Sequence, residues 1–239
     1  MAETTILHHL ERHARERPHE PAIHDKVSGV WRSTSWRNYN EKTRQVAKAL
    51  KALGHGEGEV VAILSANRPE WILAALGAMR VGGIGAGIYA TCSADEIGYI
   101  LQHSEAPVLV VERAEQLERV LQAWPEVSTL KKVVTLNADA VADDERVISW
   151  DAFLELGEEV DDADIDTALA NLRSDQVADF IYTSGSTGPP KAVMLTHENL
   201  EWTGATMGGL VDMNTSDVAL SYLPLSLSLI HISEPTRPY

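Results

Sequence analysis

Between Val60 and Thr135 short apolar runs alternate with longer stretches of helical period, and this alternation constrains the fold more than any other feature of the chain. The runs Val60–Leu64, Ile84–Ile88, Val108–Val111 and Lys132–Thr135 read as strands. Residues 70–80, 95–103 and 115–123, which lie between them, read as helices. Strand and helix in strict succession require crossover connections, so the expectation is an α/β fold with a mostly parallel sheet and flanking helices. Two helix starts carry their own chemistry. Pro69 suits a first helical turn, where its missing N–H costs nothing, and Ser93-Ala-Asp-Glu96 has the spacing of a capping box.

Upstream, Ile6, Leu7, Leu10 and Ala14 repeat at helical spacing until Pro18. Val46, Ala47, Leu50 and Leu53 do the same until Gly54, a C-terminal stop. Residues 22–36, rich in β-branched and aromatic side chains around Ser28-Gly29, predict a short hairpin. Residues 155–166 hold seven carboxylates and no base, which predicts a solvated linker; a calcium loop would need a glycine at its turn, and none is there.

The stretch 71–90 is apolar enough to raise the question of a membrane span. Arg80 stands at its middle and five glycines (Gly77, Gly82, Gly83, Gly85 and Gly87) interrupt it, so a helix followed by a strand is the better reading. The 239 residues carry 35 acidic and 20 basic side chains, and the net charge of −15 repels a phosphate backbone or an anionic membrane surface. Nucleic acid is therefore not an expected partner. A lone cysteine, Cys92, cannot form an internal disulfide, and residues 1–25 hold no apolar core of signal-peptide length. These features point to a cytoplasmic protein without a transmembrane segment, with peripheral membrane association left open.

The stretch with chemistry is Phe180-Ile-Tyr-Thr-Ser-Gly-Ser-Thr-Gly-Pro-Pro-Lys-Ala-Val-Met-Leu195. An apolar strand enters a run of small hydroxyl and glycine residues, passes two prolines and a lysine, and leaves as a second apolar strand. Gly185 and Gly188 let the backbone turn its N–H groups toward one point, and Thr183, Ser184, Ser186 and Thr187 add short hydroxyl donors. Such a concavity suits phosphate oxygens, with Lys191 as a compact cation for the terminal phosphates. It is not the Walker loop, which needs Gly before its lysine and Ser or Thr after it, whereas Pro190 and Ala192 flank Lys191.

Thr183-Ser-Gly-Ser-Thr-Gly-Pro-Pro-Lys191 resembles the phosphate-binding signature of the adenylate-forming superfamily, which includes acyl-CoA synthetases, luciferases and peptide-synthetase adenylation domains. Asn67-Arg-Pro-Glu-Trp71, Gly87-Ile-Tyr-Ala-Thr91 and Ser221-Tyr-Leu-Pro-Leu-Ser226 resemble segments of long-chain acyl-CoA synthetases, and Ser149-Trp-Asp-Ala-Phe-Leu-Glu-Leu-Gly157 is similar to their bubblegum-type branch. The resemblance implies that residues 1–226 are the N-terminal part of the large adenylation domain, incomplete and without its C-terminal domain. It implies a ligase that activates a long-chain fatty acid with ATP to acyl-AMP and then passes the acyl group to CoA. It also implies that Thr183, Ser184, Gly185, Ser186, Thr187, Gly188, Pro189, Pro190 and Lys191 contact the nucleotide phosphates, and that Thr183 helps hold Mg²⁺. No catalytic residue is expected within the chain, and the CoA site falls mostly outside it.

The remaining alternatives are an adenylating ligase for an aryl, short-chain or amino acid, and a non-catalytic nucleotide- or lipid-binding module. Leu227-Ser-Leu-Ile-His-Ile-Ser-Glu-Pro-Thr-Arg237 departs from the family pattern and resembles a translated sequencing adapter, so residues 227–239 are expected to be a non-native tail and His231 no ligand. Gly85-Ala-Gly87-Ile-Tyr-Ala90 formally matches a dinucleotide fingerprint, but its glycines fall inside a strand, which favours close packing. His8, His9 and His13 are expected to be solvated, and His197 to cap or pack a helix start.

Overall fold

The computed structural model describes residues 5–183, 188–210 and 214–227. Helix α1 (Ile6–Glu16) leads into the antiparallel hairpin of β1 (Pro21–Val27) and β2 (Val30–Ser35), then α2 (Trp36–Ala52). Ser28 and Gly29 take φ of 49° and 84° at the hairpin turn, a backbone shape that Gly adopts without cost. The alternating region follows as β3 (Val60–Leu64), α3 (Pro69–Arg80), β4 (Ile84–Ile88), α4 (Ala94–Ser104), β5 (Val108–Val111), α5 (Ala114–Ala123) and β6 (Lys132–Thr135). The expected capping box is present, since Ser93 Oγ accepts from the Glu96 N–H at 3.3 Å and Glu96 Oε2 accepts from the Ser93 N–H at 2.8 Å. Beyond it run β7 (Val147–Ser149), α6 (Trp150–Glu155), α7 (Asp162–Ala170), β8 (Val177–Thr183), β9 (Lys191–Thr196) and α8 (His197–Leu210).

Among the described residues seven strands form one sheet in the order β7-β6-β5-β3-β4-β8-β9, parallel throughout except for the final β8–β9 pair. Side-chain alternation feeds two cores. Val61, Ile63, Val108 and Val110 point to the layer holding α1, α2 and α3, while Val60, Ala62, Leu64, Leu109 and Val111 point to α4 and α5. The helix after β3 thus packs on one face and the helix after β4 on the other. Open α/β sheets hold ligands at the carboxyl ends of their strands.

The glycines of the apparent fingerprint are packing residues. A Cβ on Gly85 would stand 2.8 Å from Asp179 Oδ1 on the neighbouring strand, and one on Gly87 would stand 2.5 Å from Ser226 Cα. Asp179 is itself 2% exposed with Oδ1 unpartnered, and burial holds its carboxyl well above the usual carboxylate range. The 71–90 stretch divides into α3 and β4 as expected, and among the described residues no helix is long and apolar enough to cross a membrane. Arg80 is fully buried: it donates to Glu11 Oε1 at 2.5 Å and to Asn40 Oδ1 at 2.6 Å, tying α3 to α1 and α2.

Two expectations are corrected. Residues 155–166 are not a solvated linker, because they close α6 and open α7, with Asp161 Oδ1 capping the Ala163 N–H at 3.0 Å. The missing bases come from α2. Arg44 pairs with Asp162 at 3.1 Å and Asp166 at 2.5 Å, and Lys48 reaches Asp162 at 3.0 Å. The histidines of α1 are half-buried rather than solvated: His8 Nδ1 accepts from the Thr5 N–H at 3.2 Å, His9 meets Glu201 at 2.8 Å, and His13 packs on Trp36 with ring centroids 4.7 Å apart. The Thr5–His8 contact is local, but Arg44 and Lys48 lie more than a hundred positions from Asp162, as His9 does from Glu201, beyond the reach of a local pattern. Residues 228–239, most of the tail expected to be non-native, lie outside the described residues.

Candidate functional site

The Ser/Gly/Pro loop connects two antiparallel strands at the carboxyl end of β8, beside the carboxyl end of β4. Thr183, the last residue of β8, faces Lys191, the first of β9, in direct register. Both side chains are exposed, and Thr183 Oγ1 donates to the Lys191 carbonyl at 3.4 Å. Gly188 has φ of 157°, and a Cβ built on it meets no atom of the described residues within 4 Å. Pro189 is exposed and Pro190 half-buried; the Pro190 carbonyl accepts from the Tyr99 hydroxyl of α4 at 3.0 Å. Ser184, Gly185, Ser186 and Thr187, four of the nine expected contact residues, lie outside the described residues.

Below the loop the strand is locked. Tyr182 is 7% exposed, its hydroxyl is 2.9 Å from His103 Nδ1 on α4, and burial pushes the phenol up to about 12. His103 stacks on Tyr99 with centroids 5.5 Å apart and meets the Tyr182 ring edge-on at 5.7 Å. None of these three aromatic side chains was singled out from the sequence. The only signal was the four-residue spacing of Tyr99 and His103, which places them on one face of a helix.

The other segments set apart by the sequence converge on the same edge of the sheet. Asn67 Nδ2 donates to the Leu223 carbonyl at 2.7 Å, and Asn67 Oδ1 accepts from the Leu225 N–H at 2.9 Å. Ser226 lies over Gly87, where an added Cβ would also stand 3.2 Å from the Trp71 ring. Residues 67–71, 87–91 and 221–226 are thus one contiguous structure built around the carboxyl ends of β3 and β4. Arg68 extends it, donating to Glu70 Oε2 at 2.7 Å and Asn137 Oδ1 at 2.9 Å.

His197 belongs to the packing and not to the site. It is 1% exposed, neither ring nitrogen has a partner, and burial, reinforced by His8, lowers its pKa to about 4. The cap of α8 is Thr196 with Asn199, which exchange N–H bonds with one another's side chains at 3.0 and 3.2 Å. Among the described residues no group of three His, Cys, Asp or Glu could hold a metal ion.

The chain is an α/β protein whose mostly parallel sheet lies between two helical layers and carries a Ser/Gly/Pro-Lys loop at its carboxyl edge. The family model for the AMP-binding enzyme matches residues 10–236, so the chain belongs to that family. The long-chain-fatty-acid–CoA ligase ACSBG2 of Xenopus laevis is 35% identical over 209 residues, covering 86% of this chain and 28% of the relative. A putative long-chain-fatty-acid CoA ligase from Rhodopseudomonas palustris superposes with a TM-score of 0.78 at 21% identity, over 94% of this chain and 52% of that one. The anthranilate CoA ligase AuaEII in complex with anthranoyl-AMP superposes at 0.73 and 22% identity, over 91% and 38%. These two structures share the fold. The chain spans about a third or less of the length of the curated relatives it matches.

Proposed function

We propose that this chain is the N-terminal part of an ATP-dependent long-chain fatty acid:CoA ligase, and that its β8–β9 loop grips the nucleotide phosphates. The observation that carries the reading is the loop stem: Thr183 and Lys191 sit opposite each other, both exposed, at the carboxyl edge of a mostly parallel sheet. A fatty acid carboxylate attacking the α-phosphate would expel pyrophosphate, and the protein's task in that step is positioning and charge stabilisation. Residues 183–191 would hold the leaving phosphates through backbone N–H groups, short hydroxyls and the Lys191 ammonium. The substrate class is supported by the 35–36% identity to long-chain-fatty-acid–CoA ligases.

Mg²⁺ fits the described residues in part. Thr183 offers one hydroxyl, and phosphate oxygens would supply most of the remaining ligands, as is usual for this ion. When bound it would neutralise charge on the leaving phosphates. CoA would take the acyl group in the second half-reaction.

The test is Lys191→Ala. Losing one charged phosphate contact should weaken MgATP binding by roughly ten- to a hundredfold with the fold intact, and unchanged affinity would remove Lys191 from the site. In ATP–pyrophosphate exchange by the full-length gene product, palmitate should support faster exchange than acetate or benzoate. Benzoate in the lead would assign the protein to aryl substrates instead.

A further inference from the structure

The loop's exit arm is held by a residue that no part of the phosphate reading uses. Among the described residues β9 is the last strand of the sheet and has a lateral neighbour, β8, on one side only. Its first residue, Lys191, follows two prolines. Each proline ring fixes its own φ, which leaves the ψ of Pro190 as the free backbone dihedral leading into Lys191. That dihedral sets the direction of the Pro190 carbonyl, and the same peptide unit carries the Lys191 nitrogen. The Tyr99 hydroxyl donates to this carbonyl at 3.0 Å.

Tyr99 is in turn held. Its ring stacks on His103, one helical turn along α4, with the ring planes 28° apart. His103 Nδ1 is 2.9 Å from the hydroxyl of Tyr182, a buried residue that immediately precedes Thr183. Tyr182 pairs with Ala192 across the β8–β9 ladder, which closes a ring from the loop's entry strand through α4 to its exit peptide.

We propose that Tyr99 is a positioning residue for the phosphate loop: by fixing the Pro190 peptide it aims Lys191 at the bound phosphates. The inference rests on the phosphate role of the loop. Tyr99 itself contacts no phosphate in this scheme and acts through Lys191.

The experiment uses the full-length gene product and its Tyr99→Phe, Lys191→Ala and doubly substituted variants, each titrated calorimetrically with inorganic tripolyphosphate in the presence of Mg²⁺. Thermal unfolding is followed in parallel. Tyr99→Phe keeps the ring stack and removes only the hydroxyl, so binding should weaken roughly three- to tenfold, the value of one hydrogen bond, while Tm stays within about 2 °C. In the Lys191→Ala background the same change should have no further effect, because a residue that acts through Lys191 has nothing left to aim. If Lys191→Ala loses affinity and Tyr99→Phe binds like the unsubstituted chain, the loop reading stands and the positioning role is wrong. Equal losses from Tyr99→Phe in both backgrounds also overturn it, since they describe an effect that bypasses Lys191. If the unsubstituted chain shows no binding, or Lys191→Ala shows no loss, the phosphate reading itself fails and takes this inference with it.

Discussion

Strands β3, β4 and β5 and the β8–β9 hairpin belong to one sheet and carry similar side chains, yet they meet opposite fates. Every residue of the three central strands is buried, and their parallel registers run without a shift. In β9 no residue is fully buried, Val193 and Met194 are 46% and 64% exposed, and the β8–β9 register slips between Val177 and Asp179. The centre makes the fold and the edge stays open to solvent. Position in the sheet separates the two regions more than hydrophobicity does, because a strand with two neighbours and a helix on each face has no surface left to offer.

The comparison breaks most visibly if the centre tolerates a hole. Trp71 is fully buried beside Gly87, so Trp71→Ala should cost about 3 to 5 kcal/mol in urea unfolding. A loss below about 1 kcal/mol would mean that the three segments meeting there are not a packed unit.

A smaller effect is expected where the hairpin turns into α8. His197 has a folded pKa of about 4 against an ordinary value near 6.5, so the unfolded chain binds its proton more readily. A depressed folded pKa gives stability that is present above pH 6.5 and is lost as pH falls toward 4. His197→Phe removes the titration while keeping an aromatic ring. Relative to this variant, the natural chain should lose roughly 3 kcal/mol of unfolding free energy across that window. Parallel pH profiles for the two proteins would show that His197 is solvated in solution.

The smallest effect sharpens the contrast at the edge. Met194→Ser should change stability by less than about 0.5 kcal/mol, since the side chain is already mostly in water. A loss of several times that size would show that β9 is covered in solution.

Much of this architecture was legible in the chain itself. The strands Val60–Leu64, Ile84–Ile88, Val108–Val111 and Lys132–Thr135 fall where the apolar runs place them, and α3 opens at Pro69 as proline chemistry requires. Of the candidate site, Thr183 and Lys191 stand at the two ends of the loop as its composition suggested. The three-residue strand β7 and the short helix α6 went unread, because neither is long enough to display a period.

Period, caps and turns act within about four residues, and for that reason the sequence alone determined the longer elements, their order and the position of the loop. Which elements become neighbours depends on burial shared among residues a hundred positions apart. Only the tertiary structure placed β4 between β3 and β8, seated Ser226 on Gly87, drew Asp162 to Arg44, and brought Tyr99 of α4 to the Pro190 carbonyl. Those contacts form because folding must cover apolar surface and find partners for polar groups at once, a condition that no local stretch of the chain can express.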